Sequence, residues 1–151
     1  MIHALVADAR SIRVFETSGR AGSPAEVAVL RNPDAGRHER DLVSDRPGRV
    51  INSSAGRHQA YEPKSSPMQH AMQVWLKQIG PSLRELIDSR QGDGIVLVAA
   101  PRMLASLRKS LPASIRKRVA AEVRLDLAHS SVADLKKRLE PAMAAVARKV
   151  R

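Results

Sequence analysis

A cluster of cations near the middle of the chain indicates phosphate binding. Between Pro101 and Val119 the sequence holds six lysine and arginine residues and no aspartate or glutamate. Uncompensated positive charge of this kind favours contact with nucleic-acid phosphates, and the alternative is an ordinary solvated face. The six candidate phosphate ligands are Arg102, Arg108, Lys109, Arg116, Lys117 and Arg118.

Among these cations, Arg102 has the most informative position. It follows the apolar run 95–100 and lies in the first turn of a helix that Pro101 can begin. In open α/β sheets ligands gather beyond the carboxyl ends of such strands, and helix N-termini favour anions. Pro101 removes one amide donor, which weakens this anion site without abolishing it.

A long basic loop, approximately residues 31–66, is the second candidate site. A loop of this length inside a compact domain is usually either functional or disordered. It contains Gly56-Arg57-His58-Gln59, and an imidazole such as that of His58 titrates near neutrality, as a general base or phosphate contact would. Some loop arginines should pair with Asp41 or Asp45. Three loop arginines, Arg46, Arg49 and Arg57, are further candidate RNA ligands.

Carboxylates and histidines give weaker signals. Asp8 follows the first strand, where a nuclease would place a metal carboxylate, but two-metal hydrolysis needs several converging acids. No spacing forces the other acids to converge, so we expect Asp8 to shape the turn into the second strand. The five histidines lack zinc spacing and there is no cysteine. The sequence therefore predicts no metal and no other cofactor.

The overall composition of the chain also favours a partner that carries phosphate groups. The chain has 26 Lys and Arg against 15 Asp and Glu, a formal net charge of +11. This favours a phosphate-bearing partner, although a small basic protein without such a partner is the alternative. Phe15, Tyr61 and Trp75 are the only aromatic residues, so a platform of stacked bases is not expected. Any nucleic acid would be held mainly through its phosphates.

The N-terminus and the hydropathy pattern indicate a cytoplasmic protein. Asp8 and Arg10 come too early for the apolar region of a secretory signal. No apolar stretch approaches the roughly 20 residues that a membrane helix requires, so no membrane insertion is expected.

Three strands should begin the domain. Ile2–Ala7 is almost continuously apolar, which is typical of a strand covered on both faces. Ile12, Val14 and Glu16 alternate with Arg13 and Phe15 in a second strand, and a third strand should contain Val27 and Val29. Short connections between the three predict an antiparallel meander.

The clearest helix begins after the long loop. Ser66 can cap it, Gln69 completes a capping box, and an apolar stripe continues to Leu86. Gly80-Pro81 interrupts this stripe and predicts a kink or a brief break.

Helices and strands then alternate to the end of the chain. Residues 95–100 predict a central parallel strand, Pro101–Ser110 a helix, and Ser114 the start of a second, short helix. Alternation around Val123 and Leu125 predicts a last, more exposed strand.

The terminal helix should be capped by Ser130 or Ser131, and Pro141 should start a new segment. The expected whole is one α/β domain over residues 1–151.

Three stretches together resemble the host attachment family, the proteins required for attachment to host cells. They are Leu5–Ala9, residues 40–49, and residues 96–104 followed by Leu107-Arg108-Lys109. They cover most of the chain in the family's order. The segment Ser44-Asp45-Arg46-Pro47-Gly48 is the most specific part.

The family is distantly similar to the middle domain of archaeal and eukaryotic peptide chain release factors. That resemblance implies a ribonuclease H-like mixed sheet, a three-stranded antiparallel meander followed by α-β-α-β-α. In release factors a Gly-Gly-Gln loop after the third strand helps water attack the peptidyl ester. Here Gly56 and Gln59 take that place, while Arg57-His58 replaces a glycine. The resemblance thus implies Gln59, with His58, as candidate catalytic residues.

Three hypotheses follow from these observations. The first is a non-enzymatic, release-factor-like RNA- or ribosome-binding module in a family linked to bacterial attachment to host cells. The second is a hydrolase, either a peptidyl-ester-releasing activity at Gln59 and His58 or a metal-dependent nuclease using Asp8. The third is a regulatory module that binds a protein partner. Salt-sensitive RNA binding, metal-dependent cleavage and capture of an acidic protein would distinguish them.

Overall fold

The computed structural model of the chain describes residues 1–18, 22–36, 67–126 and 130–150. In these ranges three strands come first and helices and strands then alternate. The strands are β1 (Ile2–Ala7), β2 (Ser11–Thr17), β3 (Ala25–Arg31), β4 (Gly94–Ala99) and β5 (Val119–Arg124). The helices are α1 (Pro67–Ser89), α2 (Pro101–Ser110), α3 (Ala113–Arg116) and α4 (Val132–Lys149), and a short 3-10 helix spans Pro33–Gly36.

The strands form one open sheet in the order β3-β2-β1-β4-β5. β1, β2 and β3 pair antiparallel, whereas β4 and β5 are added parallel to β1. The predicted mixed α/β class and its antiparallel meander are thereby confirmed. Because β1, β3, β4 and β5 all run in one direction, their carboxyl ends share one edge of the sheet. We call it the carboxyl edge and the opposite one the amino edge.

Helices cover both faces of the central strands, and every residue of β1 and β4 is buried. Successive side chains of a strand point to opposite faces. Leu5 and Leu97 pack toward α1, α2 and α3, whereas Phe15 and Val96 pack toward α4. Two-sided burial is the reason that the sequences of β1 and β4 are nearly uninterrupted apolar runs.

α1 is continuous through Gly80-Pro81, so the predicted break is wrong. Pro81 is exposed, while Leu83 and Ile87 beyond it are fully buried, and this packing stabilises the helix on both sides of the proline. A Cβ on Gly80 would lie 3.0 Å from Pro112 Cγ. Gly80 therefore serves the close approach of α1 to the α2–α3 connection.

α4 likewise continues through Pro141, which corrects the prediction of a new segment there. Pro141 is exposed, and Met143 and Val146 beyond it are buried in the same cluster as Leu139. The helix starts at a side-chain cap, because Ser131 accepts a hydrogen bond from the Asp134 backbone N–H at 3.1 Å.

Other predicted boundaries held or moved slightly. α2 has its predicted bounds, whereas β5 begins at Val119, earlier than the alternation around Val123 indicated, and ends before Leu125. The predicted Ser66 cap lies outside the described residues. None of the helices in the described ranges is long and apolar enough to cross a membrane.

We predict that Met143→Ala destabilises the domain by about 2–5 kcal/mol, because it opens a cavity under a helix that is continuous through Pro141. Urea unfolding measures the change. The exposed Glu140→Ala is the matched control and should alter the free energy of unfolding by at most about 0.5 kcal/mol. Equal, small effects of the two variants would mean that the chain beyond Pro141 does not pack as described.

Candidate phosphate-binding surface

Arg102 lies where the sequence predicted it, at the carboxyl edge of the sheet. Ala100 leaves β4 with extended backbone and begins α2 without a side-chain cap, and Pro101 occupies the first turn. Arg102 follows, exposed to solvent. Its guanidinium has no carboxylate partner among the described residues.

Arg108 is neutralised by an acid from a different element. Its Nε donates to Glu122 Oε2 on β5 at 2.9 Å, and its Nη2 donates to Glu122 Oε1. This two-point pair holds the pKa of Glu122 below its ordinary value and raises the pKa of Arg108. Arg108 was predicted as a phosphate ligand from a segment without acids, and the fold supplies the missing acid.

Arg118 is also engaged, and at the other edge of the sheet. It directly precedes β5, so it lies at the amino edge, with α2 between it and Arg102. Its Nη2 lies 2.6 Å from Asp88 Oδ1, and its Nη1 donates to the Gly92 carbonyl at 3.3 Å. Two of the six predicted cations are therefore paired with carboxylates from other elements.

Four of the six cations stay exposed and without a carboxylate partner in the described part of the chain. Arg116 Nη1 donates to the Arg108 carbonyl at 3.4 Å, which places a positive charge at the negative end of α2. Six cations less the carboxylates of Glu122 and Asp88 leave a local charge of +4. We call the four free cations the α2–α3 basic surface: Arg102, Lys109, Arg116 and Lys117.

The remaining predicted site residues cannot be placed relative to this surface. Gln59 and His58, the candidate catalytic pair, lie outside the described residues. The same holds for the candidate RNA ligands Arg46, Arg49 and Arg57.

Asp8 shapes a turn, as the sequence led us to expect. Its Oδ1 accepts hydrogen bonds from the backbone N–H groups of Arg10 at 2.7 Å and Ser11 at 2.9 Å. Its own N–H donates to the Ser11 carbonyl at 3.0 Å, which closes the β1–β2 connection. Within the ranges that the structure describes, no three His, Cys, Asp or Glu side chains are grouped as a metal site requires.

A buried polar cluster at the amino edge was missed by sequence reasoning. His3 is fully buried in β1, and its Nε2 lies 3.2 Å from Glu16 Oε2 on β2. Arg90 then holds Glu16 at two points, Nε to Oε2 and Nη2 to Oε1, both at 2.7 Å. The described chain gives His3 Nδ1 no hydrogen-bond partner.

The electrostatics of this cluster favour a neutral histidine. Burial lowers the pKa of His3 even though Glu16 opposes the shift. The Arg90 guanidinium lowers the pKa of Glu16. The neutral imidazole can donate from Nε2 to the carboxylate, so the cluster fixes the β1–β2 hairpin to the end of α1.

Comparison with models of known protein families gives a match that covers most of the chain. A family model described as "Protein required for attachment to host cells" matches residues 3–139. The match includes all three of the stretches that resemble that family. No curated protein matches the chain.

We predict that the free energy of unfolding falls as pH falls, partly because of His3. Its pKa is lowered in the folded state, so stability is complete above the ordinary value of 6.5 and is lost as pH falls toward the folded pKa. The slope from one such group is at most about 1.4 kcal/mol per pH unit. Glu16, whose ordinary pKa is 4.5, adds a loss of the same sign at lower pH. Urea unfolding between about pH 5 and about pH 8 measures the slope.

His3→Gln should flatten the slope near pH 6, since glutamine does not titrate. His70→Gln is the control, because His70 is exposed on α1. A slope that survives His3→Gln unchanged would contradict the assignment to this cluster.

Proposed function

The chain belongs to the host attachment family, proteins required for attachment to host cells, and from that premise we propose that it is a release-factor-like RNA- or ribosome-binding module. The family suggests a role in host-cell attachment. The proposal concerns the molecular event behind that role, which is the binding of nucleic-acid phosphates in the cytoplasm.

The α2–α3 basic surface carries this proposal. Its four cations are exposed, have no carboxylate partner among the described residues, and lie on consecutive elements on one side of the sheet. Charged side chains that the fold leaves unpaired keep their full attraction for an anionic partner. Binding of this kind releases counterions from the nucleic acid and so weakens as salt rises.

The spacing of the surface suits a repeating phosphate backbone. Arg102 and Lys109 are seven residues apart on α2, so their Cα atoms are separated by about 10 Å along the helix axis. Seven residues are nearly two turns of an α-helix, so the two side chains lie on the same face of α2 and can contact different phosphates of one strand. Arg116 extends the same surface beyond the end of α2.

We further propose that the sheet is ribonuclease H-like, as the release-factor resemblance implies. The order β3-β2-β1-β4-β5, with an antiparallel meander and two parallel additions, supports this assignment. The long loop continues from β3, whose end is tied to the β1–β2 turn where Asn32 N–H donates to the Arg10 carbonyl at 2.8 Å. β3 therefore ends at the carboxyl edge, the edge of Arg102, and the segment that contains Gln59 follows β3 in the sequence.

The proposal is for binding and does not extend to catalysis. Asp8 Oδ1 already accepts two backbone hydrogen bonds, which is a structural use of that carboxylate. A peptidyl-ester-releasing activity would depend on Gln59 and His58, which lie outside the described residues.

We predict that the triple variant Lys109→Gln, Arg116→Gln, Lys117→Gln binds a fluorescent RNA hairpin at least about tenfold more weakly than the parent at low salt. Each lost phosphate contact should lower the slope of log K against log salt by about 0.7–0.9, so three contacts lower it by about 2–3. Fluorescence anisotropy between about 50 mM and about 200 mM salt measures both quantities.

The charge-matched control is Lys137→Gln, Arg138→Gln, Lys149→Gln on α4, which covers the other face of the sheet. It removes the same charge from exposed positions and should keep most of the affinity and most of the slope. Equal losses in the two triple variants would show that net charge, not the α2–α3 basic surface, governs binding. Absence of binding by the parent at low salt would refute the proposal.

A further inference from the structure

The sheet face that α4 only partly covers contains a cleft near the carboxyl edge. α4 packs mainly against β1, β4 and β5, and Phe15 of β2 is also buried on that face. Among the described residues, α4 makes less contact with the start of β2 and with β3. The cleft has a volume of about 280 Å³ and lies over the ends of β1 and β3 and the start of β2. It is on the opposite face from α1 and α2, and so is separate from most of the α2–α3 basic surface.

Residues that lie opposite one another on β1, β2 and β3 form the floor of the cleft. Val6, Arg13 and Val29 lie opposite one another on β1, β2 and β3. Val29 is 38% exposed, which is unusual for a large apolar side chain on a covered sheet. Two residues along the strands, on the same face of the sheet, Ser11 pairs with Arg31. The strand residues that line the cleft thus combine apolar side chains with hydroxyl and guanidinium groups.

Arg13 is held in place before any ligand arrives. Its guanidinium carbon lies 5.5 Å from the centroid of the Phe15 ring, and its Nε donates to Glu26 Oε2 at 2.5 Å. A guanidinium fixed by a ring and a carboxylate loses little freedom when it binds a ligand. The described residues provide no acceptor for its two Nη groups.

The charge balance of the cleft favours an anion. Arg10, Arg13 and Arg31 face Asp8 and Glu26, so the lining carries a net charge of +1. Glu26 is engaged by Arg13, and Asp8 Oδ1 accepts the N–H groups of the β1–β2 turn. Arg10 and Arg31 have no carboxylate partner among the described residues, so their guanidinium groups can meet a ligand.

We propose that this cleft binds a phosphate monoester of nucleotide size. Its volume of about 280 Å³ is just below the range of about 300–1,000 Å³ that small-molecule sites occupy, so the ligand must be small. Arg10 and Arg31 pair with the phosphate dianion, for which guanidinium geometry is well matched, and Val6 and Val29 contact the apolar part of the ligand. The source of the monoester is a free nucleoside monophosphate or the 5′-phosphate of an RNA. This site does not depend on the RNA-binding function proposed above.

The test is isothermal titration of the full chain with AMP, and with adenosine, which lacks the phosphate. We expect AMP to bind and adenosine to bind at least about tenfold more weakly, because the charged contacts are lost. Arg31→Gln should weaken AMP binding by a similar factor. Arg84→Gln, an exposed cation on α1, is the control and should leave it unchanged.

The variant Asp8→Asn should strengthen AMP binding, whereas Arg31→Gln should weaken it. The asparagine Oδ1 still accepts the N–H groups of Arg10 and Ser11, so the turn is kept while a negative charge beside the ligand is removed. AMP should bind several-fold more tightly, a gain that misfolding cannot produce. Failure of AMP to bind at millimolar concentration, or equal losses in Arg31→Gln and Arg84→Gln, would overturn the proposal.

A trinucleotide with and without a 5′-phosphate separates the two sources. Tighter binding of the phosphorylated trinucleotide than of AMP identifies an RNA end as the ligand. Tighter binding of AMP identifies a free nucleotide. Equal binding of the two trinucleotides, with no binding of AMP, would contradict the monoester site even if RNA binds elsewhere.

Discussion

β1 runs through the middle of the sheet between helices on both faces, and each of its six residues is buried. A strand in this position accepts a polar side chain only if that side chain is hydrogen-bonded, because an unpaired buried polar group costs about 1–3 kcal/mol. The one polar residue of β1, His3, accordingly meets Glu16, which is held in turn by Arg90. Because the central strands are buried, the candidate binding residues lie at the strand ends, on the open part of the sheet and on the outer faces of the helices.

Pairing between distant elements decides which cations remain free. Arg108 and Arg118 belong to a segment without acids, yet Glu122 and Asp88 approach them from β5 and α1. Lys109 and Lys117, immediate sequence neighbours of the paired arginines, have no carboxylate partner among the described residues. A charge count along the sequence therefore overestimates the number of cations without a carboxylate partner, and the fold shows which ones are paired.

Much of the fold could be predicted because its signals are local. The apolar runs of β1 and β4 and the proline that begins α2 are properties of short segments. The break predicted as one alternative at Pro81 and the new segment predicted at Pro141 are absent because packing beyond each proline, by Leu83 and Met143 for example, outweighs the local cost of a missing hydrogen bond. Tertiary burial is not visible in a local pattern.

The candidate sites were predictable only in part. Arg102 was placed correctly because its position follows from the end of a strand. A tight turn that pairs Ala7 with Ile12 also pairs His3 with Glu16, so a hairpin register could have indicated the buried pair. Arg90, which completes it, is 74 residues from Glu16, and no sequence pattern joins the two. The arginine cleft on the β1–β3 meander depends on where α4 stops covering the sheet, which is a tertiary property.

Sucrose-gradient co-sedimentation with bacterial ribosomes tests the central claim most directly. We predict that the parent chain and the α4 triple variant migrate with the large subunit at low salt and are released as salt rises. The triple variant of Lys109, Arg116 and Lys117 should stay at the top of the gradient under both conditions. A parent chain that stays at the top at low salt, or an α2–α3 variant that still migrates with the ribosome, would contradict the claim.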